Sequence, residues 1–289
     1  MKKGLVFGLI GVLIVLVVGY FGAQAYVDGN ARRQADALVK SLPGDVKVTY
    51  GSVATSLLSQ TAVVREVNID AGGQGKYKIA RIDVTRVDLR HKQPHYVDVS
   101  FRGLEVPTDR LSRELKDVLA RMGYAERLVL NVDYGYEYDE AKRTLTVRQI
   151  KIDGPDLGTL TLTLVIGGVA SLDFGDARVR ALAPLTLEVL GASLVFKDNS
   201  LTRRALRAFA AQQNLNEDSA KLRLFRDIDR EEAKTKDELT REALRELKKF
   251  IDKPGEFIVT AKPTPPFKLG EIFAITDFKR RLGIVVAAR

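Results

Sequence analysis

The sequence predicts an α+β fold: an N-terminal transmembrane helix followed by curved antiparallel β-sheets packed on amphipathic helices. Three observations carry that expectation. Gly4 to Ala23 is a twenty-residue run without a charge, about 30 Å long as a helix, the thickness of a bilayer's hydrocarbon. Between Val46 and Phe196 the apolar residues mostly recur at every second position, the period of a strand with one buried face. Two stretches, 109–122 and 200–213, switch to helical spacing and so carry stripes able to cover such a face.

The elements follow in order. Residues 1–27 read as a cytoplasmic tip and membrane anchor, with Lys2 and Lys3 on the cytoplasmic side. A cleaved secretory signal competes with this, because Ala23-Gln24-Ala25 has the small-x-small form of a cleavage site. Both readings put the rest of the chain across the membrane, in the periplasm of a bacterial inner membrane. Residues 28–44 read as a stalk helix, with Ala31, Ala35, Leu38 and Leu42 on one face and Pro43-Gly44 as the stop.

Residues 45–214 form the expected sheet and helix body. Strands are expected near Val46 to Tyr50, Ala62 to Ile69, Tyr77 to Leu89 and Tyr96 to Val106, joined by connections too short for crossover helices and therefore antiparallel. Pro107-Thr108 opens the first helix, with Leu111, Leu115, Val118, Leu119 and Met122 on its stripe and Gly123 as a left-handed cap. Strands return at Leu128 to Tyr138, Thr144 to Ile152 and Leu157 to Val169, with another pair between Ser171 and Phe196. Ser200 is expected to cap the second helix, which carries Leu206 and Phe209. Leu111-Ser112-Arg113 aligns with Leu201-Thr202-Arg203 at an offset of ninety residues. Two related sheet-helix units and chance likeness between amphipathic helices both explain that match.

Residues 215–253 are a charged helical section. Arg226 to Lys249 holds eight basic and eight acidic residues, many at helical spacing, so it supports itself as a solvated helix whose middle projects from the body. Residues 254–289 return as strands at Phe257 to Ala261 and Leu282 to Ala287, separated by the extended Pro263 to Pro266.

Composition excludes more than it suggests. The chain has 289 residues with 45% hydrophobic and 29% charged, ordinary for a globular protein. Cysteine is absent, which removes thiol catalysis, thiolate metal sites and disulfides. The net charge is +9, but Lys76, Lys78, Arg81, Arg86, Arg90 and Lys92 are spread along one strand region and read as a solvated face. Nucleic acid is not an expected partner, because the chain lacks an aromatic stacking platform.

No motif carries chemistry. His91 and His95, the two histidines, are four apart, but Pro94 between them breaks a helical metal pair and no Cys or third His completes a ligand set. Gly72-Gly73-Gln74-Gly75-Lys76 lacks the first Gly and the final Ser or Thr of a phosphate loop and reads as a turn. Asp139-Glu140 and Asp153 with Asp156 lie in turns, where acidic residues are ordinary. The expectation is therefore a protein without catalytic residues, metal or cofactor.

Several segments resemble bacterial envelope proteins of the AsmA-like and YdgA-like families. These are the single apolar span, the Val46–Val53 strand, Asp133-Tyr134-Gly135-Tyr136-Glu137-Tyr138-Asp139 leading to Thr144-Leu145-Thr146-Val147, Leu157-Gly158-Thr159-Leu160, Phe196-Lys197-Asp198-Asn199-Ser200-Leu201, and the Phe250 to Pro254 ending with Pro263 to Pro266. The resemblance implies a role in envelope upkeep and lipid handling, and it supplies no catalytic residues. On this reading the protein is a membrane-anchored periplasmic protein holding lipid in an apolar groove lined by Leu115, Val118, Leu119, Met122, Leu206 and Phe209. The alternative is a scaffold or adaptor in an envelope or secretion assembly, with envelope proteins as partners and those six residues as plain core.

Overall fold

The computed structural model describes residues 47–56, 61–71, 75–88, 90–91, 93–124, 126–172, 185–275 and 277–289. The expected membrane anchor, the stalk helix, the centre of the Gly72-to-Gly75 turn and the segment 173–184 lie outside the described residues. The chain divides into two compact units, one built from residues up to Leu111 with Arg127–Tyr138, the other from Ser112–Glu126 with Asp139–Arg289.

The first unit is an antiparallel meander. It holds β1 (Lys47–Thr49), β2 (Ser52–Ser56), β3 (Thr61–Asp70), β4 (Lys76–Val87), β5 (Tyr96–Pro107) and β6 (Arg127–Asp139). The strand order is β1-β3-β4-β5-β6, with β2 also on β3. Alternation in these strands buries one face, where Ile79, Ile82, Val84, Val97, Val99 and Phe101 form a single core cluster.

That alternation changes phase along one row. Glu66, Ala80 and Gly103 fall between the paired residues Arg65, Arg81 and Arg102 on one side and Val67, Ile79 and Leu104 on the other. Glu66 and Gly103 both take left-handed backbone angles, φ 55° and 66°. The apolar set steps from Val64 to Val67 in β3 and from Ile79 to Ile82 in β4, and both halves stay in the same cluster. Glycine is required at position 103, because a Cβ there would lie 2.9 Å from that of Ala80. Asn131 completes the irregularity by accepting a bond from the Gly103 N–H at 3.1 Å, where β5 and β6 shift register.

The second unit has a sheet of β7 (Thr144–Gly154), β8 (Gly158–Gly167), β9 (Glu188–Asp198), β10 (Glu256–Ala261) and β12 (Ile284–Ala288), in that order, with β11 (Phe267–Lys268) also on β9. Its helices are α1 (Arg113–Arg121), α2 (Leu201–Gln212), α3 (Glu217–Lys234), α4 (Glu238–Asp252) and α5 (Phe278–Leu282). Gly123 ends α1 at φ 78°, as its sequence position predicts. At α2 the cap differs from expectation: Asp198 Oδ1 accepts from the Thr202 N–H at 2.9 Å, and the Ser200 hydroxyl instead donates to the Asp156 carbonyl.

The fold class needs correcting. The architecture is mainly antiparallel β, with twelve strands against five α-helices among the described residues, rather than sheets folded around helices. The reason lies in α1, which buries only Leu119 and leaves Leu115 and Val118 exposed, so it cannot serve as a core for a surrounding sheet. No helix of the described residues is long and apolar enough to cross a membrane, and the Gly4 to Ala23 run expected to do so lies outside them. The longest, α3, has 18 residues and is dense in charge.

The paired sheet-helix units also dissolve. The sheet of the first proposed unit and its helix α1 belong to different compact units, because α1 is followed by Tyr124, whose hydroxyl donates to the Asp156 carbonyl at 2.8 Å and whose ring faces Arg204. The charged section, expected as one projecting helix, breaks at Thr235–Asp237 into α3 and α4. These pair through Lys221 with Asp252, Asp229 with Lys248 and Glu232 with Arg245, which requires them to run antiparallel.

Candidate functional site

One face of the second unit's sheet is apolar across five strands. The pairing puts Ile150, Leu162, Leu194, Val259 and Val286 in a single row. The flanking rows are Ile152, Leu160, Phe196, Phe257 and Ala288, and Val147, Leu164, Ala192, Ala261 and Ile284. The opposite face carries Lys151, Thr159, Thr161, Thr163, Ser193 and Lys197 over β7 to β9, and turns apolar at Val195, Ile258 and Ala287 where the Thr161 row continues to β12.

Helix α4 covers only one end of the apolar face. Phe250 is buried, with its ring 6.0 Å from Phe196 and 5.7 Å from Phe257. The same helix blunts the sheet's edge: Glu242 and Glu246, one turn apart, accept from the Val286 and Ala288 N–H groups at 3.5 and 2.8 Å. Lys279 neutralises Glu242 and Glu238 from α5 at 2.8 and 2.6 Å. Beyond the reach of α4, Ile150, Leu160, Leu162 and Leu164 are half-buried and Leu194 is 39% exposed. Among the described residues, the middle of the apolar face is therefore only partly covered.

The six residues singled out in sequence are divided by the structure. Leu119 is buried, Leu115 and Val118 are exposed at 45% and 38%, and Met122, Leu206 and Phe209 are half-buried. The expected groove residues lie on α1 and α2, whereas the partly covered apolar face lies on the strands. The signal was present in Leu160-Thr161-Leu162-Thr163-Leu164, whose alternation marks an apolar face without saying what covers it.

The basic strand region is neutralised by neighbours. Lys76 pairs with Asp70, Arg81 with Asp83, Arg86 with Glu137, Arg102 with Asp133 and Arg127 with Glu105. These exposed pairs add little stability, but they set a carboxylate beside each of those five basic side chains. Asp139 caps its turn through the Lys142 N–H, whereas Asp153 lies inside β7 rather than in a turn and accepts from the hydroxyl of its cross-strand partner Thr159.

The loop between β4 and β5 is more organised than its sequence suggests. Asp88, 1% exposed, accepts from the Arg90 N–H at Oδ1 and from the His95 N–H at Oδ2, each at 2.9 Å. His91 Nδ1 sits 2.5 Å from the same Oδ2. The two imidazoles stack with centroids 3.8 Å apart. Burial pushes the Asp88 carboxyl up, but the bonds from His95, Arg90 and His91 together outweigh it and hold it below the ordinary carboxylate value. Strand β6 fixes the loop from outside: the Tyr136 hydroxyl donates to the Pro94 carbonyl at 2.7 Å, and the Tyr138 N–H donates to the His95 carbonyl at 2.6 Å. Pro94, which rules out a helical pair, here turns the chain so that His91 and His95 meet.

Comparison with known proteins gives relatives without an assigned role. A family model described as an uncharacterized protein matches residues 151–289, a span that begins inside β7 and takes in β8 to β12. An Aquifex aeolicus protein described as an uncharacterized protein is 24% identical over 292 residues, covering 97% of this chain and 95% of its own length.

Proposed function

We propose that this protein is a non-catalytic envelope protein that binds the acyl chains of lipid on the partly covered apolar face of the β7–β12 sheet. The carrying observation is the row Ile150, Leu162, Leu194, Val259 and Val286, apolar from end to end yet covered by α4 at one end only. Four strand spacings make that row about 19 Å long, enough for the ~15 Å that an acyl chain spans in one bilayer leaflet. Each exposed or half-buried leucine on the face still has part of its burial energy, roughly 1.5–3 kcal/mol when complete, to gain from an apolar ligand.

Lys2 and Lys3 ahead of the uncharged Gly4 to Ala23 run have the pattern of an export signal and support a place in the envelope outside the cytoplasm. The resemblance to AsmA-like and YdgA-like envelope proteins supports the same assignment.

Lipid extraction from the purified full chain, with quantitation by mass spectrometry, tests the reading. Phospholipid should accompany the wild-type chain and be lost from Leu162→Glu and Leu194→Glu variants that keep the wild-type melting temperature. A lipid-free wild-type chain that assembles into oligomers would replace this reading with a scaffold role.

A further inference from the structure

We propose that Asp88, His91 and His95 form a binding site for one divalent transition-metal ion. Each offers a ligand atom, and all three atoms lie within 4.8 Å of one another. Ligand atoms around a tetrahedral or octahedral metal at ~2.1 Å are separated by about 3.0–3.4 Å. To admit the ion, the 2.5 Å contact between His91 Nδ1 and Asp88 Oδ2 must open by less than about 1 Å, and the His91 ring must turn out of its near-parallel stack on His95, because a metal lies in the plane of each imidazole that binds it. His91 is free to make that movement, with its side chain 48% exposed.

The remaining parts are held in place. The Asp88 carboxylate is oriented by the Arg90 and His95 N–H groups, the outer support that metal-binding carboxylates require. Tyr136 and Tyr138 fix the chain on either side of the peptide joining Pro94 to His95, and the Tyr138 ring meets the His95 imidazole edge-on at 5.2 Å. Two imidazoles with one carboxylate leave at least one coordination position for water.

The donor set also selects the metal. Two neutral nitrogen ligands favour zinc, nickel or copper over calcium or magnesium, which are held by oxygen and by negative charge.

Titration of the EDTA-stripped full chain with Zn2+, and separately with Co2+ and Cu2+, tests the site. One equivalent should bind. The Cu2+ form should show electron paramagnetic resonance couplings from two imidazole nitrogens, and a thousandfold excess of Mg2+ or Ca2+ should not displace Zn2+. His91→Ala and His95→Ala should each weaken Zn2+ binding at least a hundredfold while the metal-free melting temperature stays at the wild-type value. A wild-type chain that binds no Zn2+ overturns the proposal, as does a two-nitrogen coupling pattern that persists unchanged in both variants. If either variant melts early, the wild-type Cu2+ spectrum decides: two nitrogens uphold the site, and none or one overturns it.

Discussion

The strands of the two units have similar alternation and opposite fates. In the first unit, Ile79, Ile82, Val84 and Val99 are 1–2% exposed, and the apolar residues of β3, β4 and β5 close into one cluster. In the second, three apolar rows cross five strands, yet Leu194 is 39% exposed and its neighbours are half-buried. The units differ in what meets the apolar face. The first steps its phase at the row of Glu66, Ala80 and Gly103 so that both halves enter one core. The second keeps a regular face from Leu160 to Leu164 and meets a helix over β9, β10 and β12. Alternation thus tells where apolar side chains point, and their burial depends on the surroundings.

The largest expected effect is where α4 meets that second face. Phe250→Ala should destabilise the second unit by about 3–5 kcal/mol, the cost of emptying a buried aromatic site, and should expose Phe196 and Phe257, measurable as increased binding of a hydrophobic dye. A loss below 1 kcal/mol would mean that the face is uncovered along its whole width.

Next comes a matched pair that sets the two faces directly against each other. Ile79→Ala should cost about 2–5 kcal/mol in denaturant unfolding, whereas Leu162→Ala should cost about 1 kcal/mol because its site is already half open. Equal losses would abolish the contrast. Adding phospholipid should raise the melting temperature of the wild-type chain more than that of Leu162→Ala.

A smaller effect is expected at the edge. Glu246→Gln keeps the shape but turns a charged acceptor for the Ala288 N–H into a neutral one, at a cost of about 1 kcal/mol. The clearer readout is association of the loosened β12 edge, seen as a concentration-dependent rise in light scattering.

The smallest effect at neutral pH belongs to Asp88 in the first unit. Its carboxyl titrates below the ordinary value in the folded chain, so its contribution is complete above the unfolded pKa of about 3.9 and is lost as pH falls through the lowered folded value. Protection of the Arg90 and His95 amides, measured as the exchange rate relative to the intrinsic rate at each pH, should fall as pH drops through the lowered Asp88 value in the wild-type chain and be weaker at every pH in Asp88→Asn, with no such step in the second unit's strands.

Much of the fold was legible because strand signals are local. Alternation at Ala62 to Ile69, Tyr96 to Val106 and Thr144 to Ile152 placed the strands to within a few residues, and short turns made them antiparallel. The Gly123 cap was legible for the same reason, since a left-handed helix end needs only its own residues. The helices misled at the next level. Their stripes predicted a covering role, but α1 leaves most of its stripe exposed. The candidate face was written in β7, β8 and β9, where the same pattern serves equally for an interior or an open surface.

The sequence by itself determined the period of each segment, the absence of thiol chemistry and the neutrality of the charged section, because these depend on residues close in the chain or on composition alone. Tertiary structure decided the rest. It assigned α1 to the second unit, folded the charged section back into α3 and α4, stopped the cover of the apolar face at Phe250, and brought Asp88 beneath His91 and His95. Each depends on which distant surface a residue meets, and the free energy of burial or of a paired carboxylate is set by that meeting rather than by the residue's own type.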